Sequence, residues 1–364
     1  MRFLIPFAVV LVFVAGNASA ATPVTTCITI DTPGYYYLVN DIINASSTCI
    51  NITASDVVLD GRGHVIDGVH LSYSYGIDAS SVQNVTVINL AVREFYYGVY
   101  FTNVNSSRVE NCTISRNAVG VVLESSSSNT ISNNTISSND GSGVRLEFSS
   151  GNTIADNTII INYWHGVSLG FSSNNTISNN TIIYNYSPEG GAIVCGISLY
   201  SSYSDTIIDN TINSNGCGVF LDSYNTMVAG NTISNNWWWG VTLSSFISDN
   251  LIYNNLFNNT QNVQSSSPSY NAWNTTKQVG TNIVGGSYIG GNYWGKPDGT
   301  GYSDTCGDAD GDGICDAPYV IDANNTDYLP LTSPVGMPEF QGYAALSAFV
   351  PWVSYLLLRR WKIT

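Results

Sequence analysis

A tetrapeptide of the form Gly-Val-x-Leu returns eight times at a nearly fixed interval, and that repeat limits what the chain can become. Its copies begin at Gly76, Gly98, Gly120, Gly143, Gly166, Gly196, Gly218 and Gly240, separated by 22, 22, 23, 23, 30, 22 and 22 residues. The one long interval contains Pro188-Glu189-Gly190-Gly191, which reads as a loop bulging from a single turn of the repeat. A second motif, Asn-Thr-Ile, lies between the copies at Asn134, Asn157, Asn180, Asn210 and Asn231, with further copies five residues earlier at Asn129 and Asn152. Short apolar-polar alternations bounded by Asn, Ser and Gly are strand signals, and each is too short to stand alone.

Units of fixed period that cannot bury a face by themselves stack into a solenoid. The expected fold is all-β: a right-handed parallel β-helix of roughly 22–23-residue coils, a single domain with capping segments. Rungs about 4.8 Å apart would make nine or ten coils a rod roughly 45 Å long. Val and Leu of each Gly-Val-x-Leu should point inward and the residue between them outward. Asn recurring at one turn position should form an amide ladder. A leucine-rich repeat shares this period but needs a leucine framework that this sequence lacks. The repeats occupy 57–260, an N-terminal cap 21–56 and an irregular C-terminal cap 261–335.

The segment Leu59-Asp60-Gly61-Arg62-Gly63-His64-Val65-Ile66-Asp67-Gly68, at the entry to the repeats, resembles that of NosD-like right-handed β-helix proteins, the carbohydrate-binding and sugar-hydrolase repeat group. The tail resembles the ends of archaeal members, through Gly291-Asn292-Tyr293-Trp294-Gly295, Ala317-Pro318-Tyr319-Val320-Ile321-Asp322 and Asp327-Tyr328-Leu329-Pro330-Leu331. The resemblance implies the fold, which hosts many activities. Copper delivery, associated with the family name, needs clustered His, Met or Cys. Three His and three Met without a cluster argue against it.

Both ends of the chain point to export. Arg2, the apolar run Phe3 to Val14 and Ala18-Ser19-Ala20 read as a signal peptide over 1–20, the alternative being an N-terminal membrane anchor, for which the run is short of the roughly 20 residues of a span. At 336–364, Met337-Pro338-Glu339-Phe340, an apolar stretch and a basic end at Arg359, Arg360 and Lys362 resemble the Pro-Glu-Phe sorting signal of archaeal surface proteins (PEF-CTERM), which implies anchoring at the membrane. Between them, residues 21–335 carry 7 Lys and Arg against 25 Asp and Glu, a net charge of −18. That field disfavours nucleic acid and favours divalent cations.

Exported cysteines are expected to pair. Cys195 and Cys217 precede the glycines of consecutive coils, one rung apart and within disulfide reach. Cys27 with Cys49 would tie the N-terminal cap, and Cys306 with Cys315 would close an acidic loop. Cys112 is left as a buried thiol aligned with Asn134, or else as a partner for a second chain.

That loop, Asp308-Ala309-Asp310-Gly311-Asp312-Gly313-Ile314-Cys315-Asp316, is the strongest chemical motif. Calcium takes six to eight oxygens, and an EF-hand-like spacing would draw them from Asp308, Asp310, Asp312, the Ile314 carbonyl and Asp316. Tyr319 stands where an EF-hand places Glu, so the loop more closely resembles a thrombospondin type 3 repeat. The bland alternative is a solvated acidic turn. The role expected for calcium is structural.

Candidate glycan contacts on the outward face are Tyr100, Glu124, Glu147 and Tyr200. Glu124 and Glu147 fall on adjacent coils, near the carboxylate spacing of a retaining glycosidase. An acid pair beside Arg145 has the ordinary reading of a solvated cluster, and the basic residues a lyase needs are scattered. Trp164 and Trp237-Trp238-Trp239 could stack on sugar rings or simply pack turns. Sequons at Asn44, Asn84, Asn274 and Asn324 mark positions for N-glycosylation. The expected role is therefore a surface-anchored β-helix that binds carbohydrate or serves as a structural or adhesive envelope component, with glycans or envelope proteins as partners. The alternative is an extracellular polysaccharide lyase or glycoside hydrolase.

Overall fold

A computed structural model describes residues 21–187, 193–245, 247–266 and 270–332. The signal segment, the insertion at 188–191 and the sorting segment at 336–364 lie outside the described residues. Among the described residues, no helix is long and apolar enough to cross a membrane. The chain winds as a parallel β-helix whose three long sheets hold 12, 11 and 11 strands. Each coil supplies one strand to each sheet, as in Val119–Glu124, Thr130–Ser132 and Thr135–Ser137. The first carries Gly-Val-x-Leu and the others the two Asn-Thr-Ile copies.

Parallel pairing in strict register makes every coil position a column. Val121, Leu123, Val144, Leu146, Val167 and Leu169 are fully buried, as are the isoleucines of the second motif from Ile136 to Ile233. Each such side chain contributes roughly 1.5–3 kcal/mol of burial. The motif glycine has a packing cause. A Cβ on Gly98 would sit 2.6 Å from the Gly120 carbonyl and 2.9 Å from the Asn117 amide nitrogen.

Three asparagine ladders and one serine ladder turn the corners, where a single ladder was expected. The ladder through Asn134, Asn157, Asn180, Asn210, Asn231, Asn255 and Asn292 is typical. Asn134 Oδ1 accepts the Cys112 N–H at 2.8 Å, while its amide donates to Asn157 Oδ1 at 3.0 Å. This ladder ends at buried Asp327, which accepts the Asn292 N–H at 2.7 Å and the Trp294 indole N–H at 2.8 Å. Second and third ladders run through Asn129–Asn152–Asn175 and Asn117–Asn139–Asn162. Ser126, Ser149 and Ser172 bond rung to rung.

Strands begin at Thr22, so the segment given to the N-terminal cap already winds in register with the helix: Ile28–Ile30 pairs with Ile50–Ile52, and Gly34–Leu38 with Val57–Asp60. At the other end Phe257, Trp273 and Trp294 close the core, with Phe257 and Trp294 stacked at 4.8 Å. The expected disulfides Cys27–Cys49, Cys195–Cys217 and Cys306–Cys315 are all present, and Cys112 is a buried free thiol.

Candidate functional site

The outward face of the Gly-Val-x-Leu sheet gathers most of the chemistry. One column runs Asp78, Tyr100, Val122, Arg145, Ser168, and the next runs Thr102, Glu124, Glu147, Gly170, Tyr200, Asp222. The structure thus places the four candidate contacts on one sheet and puts Glu124 and Glu147 on neighbouring rungs.

Their carboxylates lean apart along the rod. Glu124 turns back to accept the Tyr100 hydroxyl at 2.6 Å, while Glu147 reaches forward over Gly170, whose missing side chain leaves it room. Burial raises the Glu147 pKa, partly countered by Arg145 and reinforced by Glu124. Burial, then the bond to Glu124, pushes the Tyr100 hydroxyl up to about 12. Burial also raises Asp78. Arg145 donates from Nη2 to the Tyr97 hydroxyl at 2.8 Å, beside rings of Tyr75, Tyr97 and Tyr100 that lie 5.1–5.5 Å apart.

The sequence reading passed over Phe148 and Phe171. Each follows the carboxylate column by one residue, in the left-handed corner, with φ of 51° and 49°. Neighbouring rungs put Asn103, Ser125 and Ser201 there. Bulky residues are outliers in this conformation. The two rings stack at 5.2 Å with planes 9° apart, and Tyr200 meets Phe171 edge-on at 5.5 Å. All three are solvent-exposed, at 63%, 50% and 54%. Ile161 and Tyr184 adopt the same conformation at another corner, but there the side chains are partly covered. A bulky aromatic at a column otherwise filled by Ser and Asn was the available signal.

Trp164, Trp237 and Trp238 lie at the opposite edge of this sheet, exposed, with Tyr186 5.1 Å from Trp237. The entry motif is held structurally: Asp60 accepts the Tyr35 hydroxyl at 2.6 Å, and Asp67 pairs with Arg93 at 2.8 Å.

In the acidic loop, the ligand oxygens of Asp308, Asp310 and Asp312 lie within 4.8 Å of one another. Asp308 also receives the N–H groups of Asp312 and Gly313. Asp316 is turned away to the Ala309 N–H, and Lys277 pairs with Asp312. Three of the five expected ligands therefore converge as hard oxygen donors, a set that suits calcium.

Parallel coils closed by amide ladders define a parallel β-helix, here with aromatic and carboxylate side chains on the outer face of one sheet. The chain belongs to the NosD family: the model described as "Periplasmic copper-binding protein (NosD)" matches residues 39–225 and 162–299. No curated protein matches the chain in sequence. Among solved structures it is similar to the Dettilon tailspike protein (TM-score 0.53, 16% identity, 68% of this chain and 59% of that one). It is also similar to the A-module of the Azotobacter vinelandii mannuronan C-5 epimerase AlgE6 (0.52, 16%, 69% and 87%) and to an alginate lyase from Paenibacillus (0.51, 13%, 69% and 97%). At these identities the likeness is one of fold.

The copper of the family description does not fit these residues. His64 lies against Asp41 at 3.0 Å, and His70 against Asp140 at 3.2 Å. His165 is partly buried and accepts the Cys195 N–H at 3.0 Å, and desolvation lowers its pKa to about 4. Among the described residues, the only grouping of three His, Cys, Asp or Glu able to hold a metal is the aspartate loop.

Proposed function

We propose that this is an exported, surface-displayed β-helix protein that binds carbohydrate on the outer face of its Gly-Val-x-Leu sheet. The observation that carries the reading is the exposed Phe148–Phe171 stack with Tyr200 at its edge, running beside Glu124 and Glu147. Exposed aromatic carbon packs on the apolar side of a sugar ring, and carboxylates accept its hydroxyls. The three disulfides fit an oxidising compartment, and the sorting-type motif at 336–364 supports anchorage. Calcium at Asp308, Asp310 and Asp312, with the Ile314 carbonyl and Asp316 as further candidate donors, would order the C-terminal cap.

A glycan array probed with the protein, with calcium and with chelator, tests the reading. Binding lost on Phe171→Ala supports it, whereas binding that survives removal of both phenylalanines moves the site elsewhere.

A second reading, polysaccharide cleavage, draws on the unequal surroundings of two carboxylates: Glu124 held by Tyr100, Glu147 shifted toward protonation by burial. Incubation of the same glycans with wild type, Glu124→Gln and Glu147→Gln decides it, because cleavage unaffected by both changes removes this pair as the catalytic site.

A further inference from the structure

The fold neighbours that act on alginate would point to an acidic polymer, but the charge and period of this face point elsewhere. We infer that the ligand is an uncharged, unbranched polysaccharide lying parallel to the rod axis, about one sugar ring to each rung. This inference rests on the carbohydrate-binding reading and specifies its ligand.

Period supplies the orientation. Phe148, Phe171 and Tyr200 come from three consecutive rungs, as the backbone bonds Phe148 N–H to Gly170 and Phe171 N–H to Tyr200 show. Rungs advance by about 4.8 Å, close to the advance of one ring in an extended chain of equatorially linked hexoses. A chain laid across the strands would cross a single rung and meet a single aromatic of the track. Laid along the axis, it meets each in turn.

Charge supplies the class. The column beneath the aromatics holds Glu124, Glu147 and Asp222, and its cationic neighbour, Arg145, which also donates to the Tyr97 hydroxyl, offsets one of these three charges and leaves a net excess of acid. A uronate chain lying there would set one carboxylate per ring against these acids, within a body whose residues 21–335 carry −18. Like charges juxtaposed at an interface work against binding. Hydroxyl groups of a neutral ring, in contrast, donate to the carboxylate oxygens of Glu147 and Asp222.

The experiment titrates the full chain by calorimetry with linear neutral oligosaccharides of increasing length (gluco-, manno-, xylo- and galacto-types) and with oligomannuronates and oligogalacturonates of equal length. The expected result is binding of a neutral series, with affinity rising about fivefold per ring until the chain spans Glu124 to Tyr200, then levelling. Affinity should change little with salt. Tighter binding of a uronate series, weakened by salt, or affinity independent of chain length, would overturn this inference and leave carbohydrate binding standing. Failure of every series to bind overturns both.

Discussion

Asp205 accepts two hydrogen bonds from Asn175 through one oxygen, from the backbone N–H at 2.8 Å and from the side-chain amide at 3.1 Å. Its other oxygen is buried without a partner among the described residues. The residue holds a ladder position that Asn129, Asn152 and Asn175 fill on earlier rungs, so an acid stands where the fold uses an amide.

Burial raises the Asp205 pKa from its ordinary 3.8 to about 7. A carboxyl with a raised folded-state pKa contributes fully below its unfolded value, and its contribution fades as pH climbs through 7. Asp205→Asn restores the amide and should raise stability at pH 8 by roughly 2–4 kcal/mol, at about 1.4 kcal/mol per unit, with little gain at pH 4. Denaturant melts of both proteins at the two pH values check this. Asp327, raised by burial to about 6, titrates in the same direction in both proteins, so the difference between them isolates Asp205. Equal curves at pH 8 would mean that the buried anion is not unfavourable there.

The amide ladder itself is testable at Asn180. Its Oδ1 accepts the Asn157 N–H at 2.9 Å and the Asn157 amide at 3.0 Å, and its own amide reaches Ile154, Ser178 and Asn210. Asn180→Ala leaves buried donors without acceptors, each costing roughly 1–3 kcal/mol. The expected loss is about 3–5 kcal/mol in total, read by urea denaturation. A drop below 1 kcal/mol would show that water or backbone movement replaces the amide.

Calcium should act on the cap. With the ion at about a hundred times its dissociation constant, stabilisation of the part it orders would reach roughly 2.7 kcal/mol. Chelator should therefore lower the melting temperature of the wild-type protein and leave Asp310→Asn, already weakened, nearly unchanged. Asp222→Asn, far from the loop, should keep the full response. A melting curve indifferent to chelator in all three would identify the loop as a solvated acidic turn.

The coil path was legible because its causes repeat. Gly98 has no room for a Cβ, Val121 and Leu123 fill a core, and Asn134 bonds the rung above; each demand recurs every 22–23 residues and marks the sequence at that interval. The first coils were opaque because Gly34–Leu38 and Ile42–Ala45 build the same strands from the sequences Gly-Tyr-Tyr-Tyr-Leu and Ile-Ile-Asn-Ala, which carry neither the Gly-Val-x-Leu nor the Asn-Thr-Ile motif. The Glu124–Glu147 adjacency followed from register alone. Which way each carboxylate leans did not, since it depends on Tyr100 one rung back and on Gly170 one rung forward. Phe148 and Phe171 stand at the corner one residue past the outward column, outside both repeat motifs, and the Ser and Asn that fill that corner on neighbouring rungs are the only sequence sign that it faces solvent.

Those two phenylalanines carry the last prediction. A bulky side chain in the left-handed region costs about 1–2 kcal/mol, strain that the surrounding coil holds in place. Asparagine, which Asn103 supplies at the same corner, tolerates the conformation through its short polar side chain. Phe148→Asn and Phe171→Asn should each leave stability unchanged or raise it by up to about 1 kcal/mol, and the double variant should lose glycan binding while its melting temperature does not fall. A double variant that melts lower would make the stack a structural element of the rod. One that melts no lower and still binds would detach the aromatic track from recognition. Stability held or gained with binding lost is the signature of side chains kept for a ligand.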